Sequence, residues 1–564
     1  MRNKYIILIA SFVLIGLIAC RKDFLDVNEV QANVSVDELY SSYGYAQQVV
    51  WNIYSYLPMG LEDLDLNAAT DDAEATSVSN RSQQFNDGTW DQYNLPDDSW
   101  SRDFNGIQQA NLFLKNRYRV DIDYLRDRIT STDSTSYFNA RDNVKFMQGE
   151  ALFLKAYFYF DLIKHFGSVP ILDEPLDYNN KSSWQNIPRA SLDDCIAYAN
   201  ALCDSAAQII PEDLTPYSWY DLGRVTYGAI RSLQSRLLLY GASPLYQDGG
   251  STVTWEEAAK AAYGVIKLGK YSLDPNYENL FGSGNTNSSE IIFYKRYGAI
   301  NWAEFDNFPI MFQNSRGTSI TPTQNFVDEF EVLEKDAAGD VLTARAFNWN
   351  NSADASNPYQ NRDPRLSMQV VLNGSVFSGE TIETYTGGNS GLPKLNATKT
   401  GYYLRKWINP SIDLVNSTTA NHSWVYFRYS EILLNYAEAM FHAYGAMADP
   451  QGYGLTAIEA INLVRNRAHM PNLNAADLNE SALVHERRVE LGFEGQRIWD
   501  LRRLKLGSFL NQPINRVVIS KSETGFSYEV KRLENRKFLD KMYWFPIPQT
   551  EIDKTGWAQN EGWN

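Results

Sequence analysis

Two groups of residues in this chain have types and spacings that could do chemistry. One is Leu17-Ile18-Ala19-Cys20, where small and aliphatic residues run into a cysteine whose thiol can take a lipid. The other is a pair of segments that mix aromatic and charged side chains, Asp72, Arg81, Trp90 and Tyr93 in the first, Tyr297, Trp302, Phe305 and Phe308 in the second. Tyr and Trp carry a flat apolar face with a polar edge. That chemistry suits stacking on sugar rings, while Arg81 and Asp72 can donate and accept hydrogen bonds to hydroxyls. Trp90 and Trp302 are the expected platforms, and a place in the core is the competing reading for each of these aromatics. The adjacent acids Asp71-Asp72, Asp97-Asp98 and Asp193-Asp194 fit catalysis less well. Glycoside cleavage needs two carboxylates about 5 to 10 Å apart around the scissile bond, and neighbouring side chains point apart. No catalytic residue is assigned. The five histidines form no His-x-x-x-His pair and have no cysteine at ligand spacing, so neither metal nor other cofactor is expected.

Helices must position these residues. Leu39, Tyr43, Ala46, Val50, Ile53 and Leu57 recur at steps of four and three behind the capping pattern Ser35-x-x-Glu38, one apolar stripe of a helix. The same period returns in Val144, Met147, Ala151, Leu154, Phe158 and Leu162, between Val225 and Tyr240, and from Tyr429 to Met440. Thr254-x-x-Glu257 and Thr456-x-x-Glu459 mark two further starts. Helix pairs that bury one face on a neighbour predict a mostly helical fold. From about Tyr271 to Ser423 the chain turns to Gly, Asn, Ser and Thr with short strand-like runs, Ile291 to Tyr294 and Met368 to Leu372. This reads as an irregular insertion between helical halves, and loops on a rigid scaffold are where binding residues gather.

The start of the chain has the layout of a lipoprotein signal peptide. Arg2 and Lys4 precede an apolar run from Tyr5 to Ala19, shorter than the roughly 20 residues of a spanning helix. Cleavage before Cys20 would leave a lipidated first residue. The remainder of the 564 residues, 44% hydrophobic, can bury a large core. The formal charge of −17, which cleavage makes more negative, argues against nucleic acid as a partner. Cys195 and Cys203, about 12 Å apart along one helix, cannot bridge and read as core residues.

Six ordered blocks resemble the SusD/RagB family of outer-membrane nutrient-binding lipoproteins of the Bacteroidetes. They are Gly149 to Pro170, ending in Gly-Ser-Val-Pro, then Gly223 to Ala242, Phe427 to Ala439, Ile461 to Pro471, Glu486 to Gly507 and Tyr543 to Ile552. The resemblance implies four tetratricopeptide-like helix pairs with a loop-rich ligand lobe and no enzymatic activity. It also implies a partner, a SusC-like TonB-dependent transporter to which captured oligosaccharides pass. The expected organisation is a signal peptide (1–19), a lipidated tether (20–34), an N-terminal helical part (35–270), the ligand lobe (271–423), a C-terminal helical part (424–510) and a tail packed on the domain (511–564). The expected place is the outer membrane, facing outward, held by the lipid on Cys20. Arg21 and Lys22 precede the acids Asp23, Asp26 and Glu29, a departure from the acidic cluster common after the family's cysteine. Within Glu486 to Gly507, the pairs Arg487/Glu490, Glu494/Arg497 and Arg497/Asp500 are spaced to bond along one helix face. A surface glycoside hydrolase, a peptide-binding protein and a structural lipoprotein remain as alternative functions.

Overall fold

The computed structural model describes residues 36–563 except 98, 127–133, 178 and 317–318. The signal-peptide segment, Cys20 and Ser35 lie outside the described residues. The fold is mostly helical, with 45% helix against 13% strand. The helices pack in chain order as four pairs: α1 (Tyr43–Ser55) with α2 (Ser99–Asn116), α3 (Thr135–Phe166) with α4 (Leu192–Ala207), α5 (Tyr227–Ala242) with α6 (Trp255–Ile266), and α7 (Tyr429–Tyr444) with α8 (Ala457–Arg467). Each pair also packs on the next, so the pairs share one core.

Local chemistry sets the ends of these helices. Ser134 caps α3, accepting from the Tyr137 amide at 3.2 Å, and Gly167 ends it at φ +70°. The two capping boxes that fall within the described residues form, at Thr254 with Glu257 and at Thr456 with Glu459. The first stripe was expected to be one helix, but it is two, because Ser42 takes an extended conformation and caps α1 while the Ser41 carbonyl accepts from the Asp121 amide at 2.8 Å. Helix α3 is buried nearly all round from Glu150 to Ile163, since α2, α4 and the C-terminal chain cover it on several sides. Gly149 permits a close approach, although to the turn after α4 rather than to another helix: a Cβ there would lie 2.8 Å from Ile210 Cγ1. Cys195 and Cys203 are free and buried, and burial pushes the Cys195 thiol up to about 11.

The stretch read as an insertion leaves and returns on paired strands. Strand β1 (Ile291–Ile300) runs antiparallel to β2 (Ala420–Arg428), which leads straight into α7. A short pair joins Ala73–Ala75 to Ile320–Pro322, and Thr323 Oγ1 donates to the Asp71 carbonyl at 2.6 Å. The chain that follows the second aromatic segment is thereby fastened to the start of the first. Met368 and Gln369 belong to a short helix, Arg365–Gln369, and only Val370–Val371 of that run is strand.

Candidate functional site

The charged residues of the C-terminal block form a buried ion-pair network. They were expected to pair along one helix, yet that helix ends at Glu490 and another begins only at Arg497. They pair across the fold instead. Arg497 donates to Asp71 at 2.9 and 2.8 Å, Arg488 to Asp72 at 2.7 Å, and Arg487 to Asp500 at 2.8 Å. Glu494 accepts from Arg428 and Lys406, and Glu490 from Arg365 and Arg428. Asp72 is therefore no ligand contact: it is 1% exposed and its carboxylate is engaged by Arg488.

Trp90 is a correction of the same kind. It is 2% exposed and packs on Phe545 and Trp563, both with ring centroids 4.7 Å away, because the C-terminal tail closes over it. Phe308 is likewise buried, against Phe312 and Phe377. Tyr93 stands 75% exposed on the turn between Asp91 and Asn94, apart from the other candidates.

Arg81 and Tyr297 both meet the 3-10 segment Gly60–Ala69, and Trp302 packs on Tyr297. Arg81 donates to Asp65 at 2.8 Å and to Asp63 at 2.5 Å, and these residues, with Met59, Glu62, Leu95 and Asp97, line an open cleft of about 440 Å³. Strand alternation puts Lys295 and Tyr297 on the side of β1 that meets this segment. Lys295 Nζ lies 3.6 Å from Met59 Sδ and 5.3 Å from the Tyr297 ring. Burial lowers the Lys295 pKa despite the attraction of Glu62 and Asp63, and burial, with Glu62, raises that of Tyr297. The half-buried Trp302 ring meets Tyr297 edge-on, centroids 6.0 Å apart. Phe305 follows three residues later in the short helix Trp302–Asn307, with the Arg316 guanidinium 4.8 Å over its ring. Glu304 anchors that helix by accepting from His422 at 2.8 Å and from the Asn409 amide at 2.9 Å.

Glu62, Asp63, Asp65, Leu95 and Lys295 were not singled out in the sequence. The acidic run Glu62-Asp63-Leu64-Asp65 and the alternation of Lys295 with Tyr297 were the available signals. Asp97 lines both the cleft and a smaller pocket of about 100 Å³ shared with Arg102, Asp161, Lys164 and His165. Burial alone would raise its pKa, but His165 and Arg102 hold it well below the usual carboxylate range. Among the described residues, no group of three or more His, Cys, Asp or Glu side chains is arranged to hold a metal ion.

An open cleft with an arginine fixed by two carboxylates can bind a hydroxyl-rich ligand by hydrogen bonding, and Tyr297, which meets the same 3-10 segment, offers with Trp302 aromatic rings for stacking. Residues 289–563 match a model of the SusD family, and residues 23–239 match one described as starch-binding and associating with the outer membrane. A curated SusD-like protein of Formosa agariphila is 22% identical over 537 residues, covering 88% of this chain and 89% of its own. A solved SusD-like protein from Bacteroides fragilis superposes with a TM-score of 0.74 at 24% identity, covering 94% of this chain and 100% of that one. A SusD-like carbohydrate-binding protein from the same organism gives 0.73 at 23%, covering 92% and 99%. With both parts of the chain matched by models of one family and the fold shared along its length, the chain belongs to the SusD/RagB family of carbohydrate-binding, outer-membrane-associated proteins.

Proposed function

We propose that this protein captures oligosaccharides at the cell surface and passes them to a SusC-like TonB-dependent transporter, acting by binding and not by catalysis. The observation that carries the reading is the cleft beside Gly60–Ala69, where Arg81 is pinned by Asp63 and Asp65 on a segment that Tyr297, packed on Trp302, also meets. Residues 271–423 act as the ligand lobe on the helical parts at 35–270 and 424–510, with the tail at 511–564 closing the domain. Residues 1–19 are removed on export. A lipid on Cys20 holds the mature protein, through the tether to residue 34, on the outer face of the outer membrane. The names of the starch-binding family model and of the carbohydrate-binding structural neighbour support a glycan ligand.

A glycan array followed by isothermal titration of the mature protein tests the binding step. Saturable binding to one polysaccharide class, without release of reducing sugar, is expected. Truncating an aromatic anchor costs about 2 kcal/mol or more, so Trp302→Ala should weaken that binding more than tenfold, and unchanged affinity would remove Trp302 from the site. Extracellular protease on intact cells checks the outward display, and co-purification of a TonB-dependent barrel checks the partner.

A further inference from the structure

Tyr294, Lys295 and Arg296 of strand β1 line a groove of about 340 Å³, separate from the cleft, with Trp51, Leu57, Asp221 and Arg224. Trp51 is 54% exposed on α1, more than any other described tryptophan. Arg296 is exposed and forms no ion pair among the described residues, in contrast to Arg224, which donates to Glu150 at 3.1 Å and to Asn143 at 2.8 Å and so fixes the wall. Tyr294 is 9% exposed, and its buried hydroxyl has no hydrogen-bond partner. An orphaned buried hydroxyl costs about 1 to 3 kcal/mol, a cost that a bound hydroxyl-bearing ligand would relieve. Gly223, at φ +88°, lines the groove, and a Cβ there would meet the Tyr294 ring and the Arg296 chain only in ordinary contact, at 3.7 Å.

The groove adjoins the first cleft. Leu57 lines the groove and Met59 lines the cleft, and two residues of chain span at most about 7 Å. A solvent-facing aromatic ring beside an unpaired guanidinium, a carboxylate and a phenol is the same mixture of stacking and hydrogen-bonding groups as in the cleft. Its volume lies near the small end, about 300 Å³, of ligand pockets, which suits a sugar unit better than a protein segment. We infer that this groove is a second glycan subsite, which holds a further unit of the chain bound in the first cleft. Trp51 supplies the stacking face, and Arg296, Asp221 and Tyr294 supply hydrogen bonds. The inference rests on the glycan-capture function proposed above.

Two linked subsites make affinity depend on chain length, because the second contact forms at high effective concentration. The test is isothermal titration of the mature protein with a length series of maltooligosaccharides, and with the corresponding series from whichever polysaccharide class the array selects. Trp51→Ala and Arg296→Gln should leave the affinity for the shortest bound oligomer unchanged and weaken the longest by about tenfold, with Trp51→Phe recovering most of the loss. Trp302→Ala should weaken every length. Both side chains at the second groove are exposed, so folding is expected to persist, and circular dichroism melting verifies it. If Trp51→Ala and Arg296→Gln match the wild type at every length while Trp302→Ala weakens binding, the second subsite is overturned and the first stands. If the wild type binds no glycan on the array, the proposed function falls and the subsite with it.

Discussion

Arg497 and Asp71 lie at opposite ends of the sequence and share two hydrogen bonds in the interior, where both side chains are 5% exposed. Removing one partner of a buried pair costs about 3 to 5 kcal/mol. Arg488 also reaches Asp71, at 3.0 Å, so Arg497→Ala should lose about 3 kcal/mol, read by chemical denaturation, with glycan affinity unchanged at temperatures where the variant is folded. Acid should act through the same carboxylates. Burial alone would raise Asp71, Glu490 and Glu494, but Arg488 and Arg497 at Asp71, Arg467 and Arg428 at Glu490, and Arg428 and Lys406 at Glu494 hold all three below their ordinary values. Unfolded carboxyls titrate near pH 4, at about 3.9 for Asp and 4.3 for Glu. Above that pH both states are ionised and the stabilisation is complete. Below it the unfolded chain takes up protons that the native chain refuses, so stability is expected to fall progressively as pH drops from about 5 toward the depressed native values. A denaturation series that stays flat from pH 5 to about 3 would contradict this assignment. None of these partners was legible in the sequence. Residues three apart suggest pairs along a helix, and only the break after Glu490, with Asp71 arriving from the other end of the chain, redirects them.

What could be read at the scale of the element was whatever the element decides locally. The apolar stripes of α3 and α7 and the capping boxes at Thr254 and Thr456 depend on neighbours three and four residues away, and they were legible. Trp90 and Trp302 have the same side chain in similar loop-rich contexts, yet one is covered by the tail and the other is half-buried beside Tyr297, a difference that only tertiary packing makes. The segment Gly60–Ala69 shows how narrowly an element can be fitted. Gly60 sits at φ +70°, and a Cβ there would lie 2.4 Å from Trp424 Cγ. Gly60→Ala combines an unfavourable backbone conformation with overpacking against β2. Overpacking costs about 1 to 3 kcal/mol, and positive φ about 1 kcal/mol more. Because this segment carries Glu62, Asp63 and Asp65, the variant should lose affinity along with melting temperature, while Thr456→Ala, far from the cleft, should cost about 1 kcal/mol of stability alone. Scanning calorimetry and titration on both variants separate the two outcomes.

Across the whole molecule, the C-terminal chain is what couples the scaffold to the cleft. The Phe545 amide donates to the His165 carbonyl at 2.7 Å at the end of α3, and the Gln549 amide to the Gln92 carbonyl at 3.0 Å. Trp563, 2% exposed, donates from its indole to the carbonyls of Lys541 and Trp544 at 2.9 and 3.0 Å and presents its ring to Trp90. The loop from Trp90 to Asp97, which brings Leu95 and Asp97 to the cleft, therefore rests on residues at the far end of the chain. Burying a tryptophan of this kind is worth about 3 to 5 kcal/mol relative to alanine, and its removal also leaves two carbonyls without their donor. Trp563→Ala should consequently lower the melting temperature and, in the fraction that remains folded, loosen residues 90–97. Hydrogen exchange should show the Gln92 and Leu95 region losing protection ahead of α3. Glycan affinity should fall although Trp563 touches no ligand, and Trp563→Phe, which restores the ring contact but not the indole donor, should recover part of both. Equal loss of protection across α3 and the loop would mean that the tail stabilises the domain as a whole and has no separate hold on the cleft.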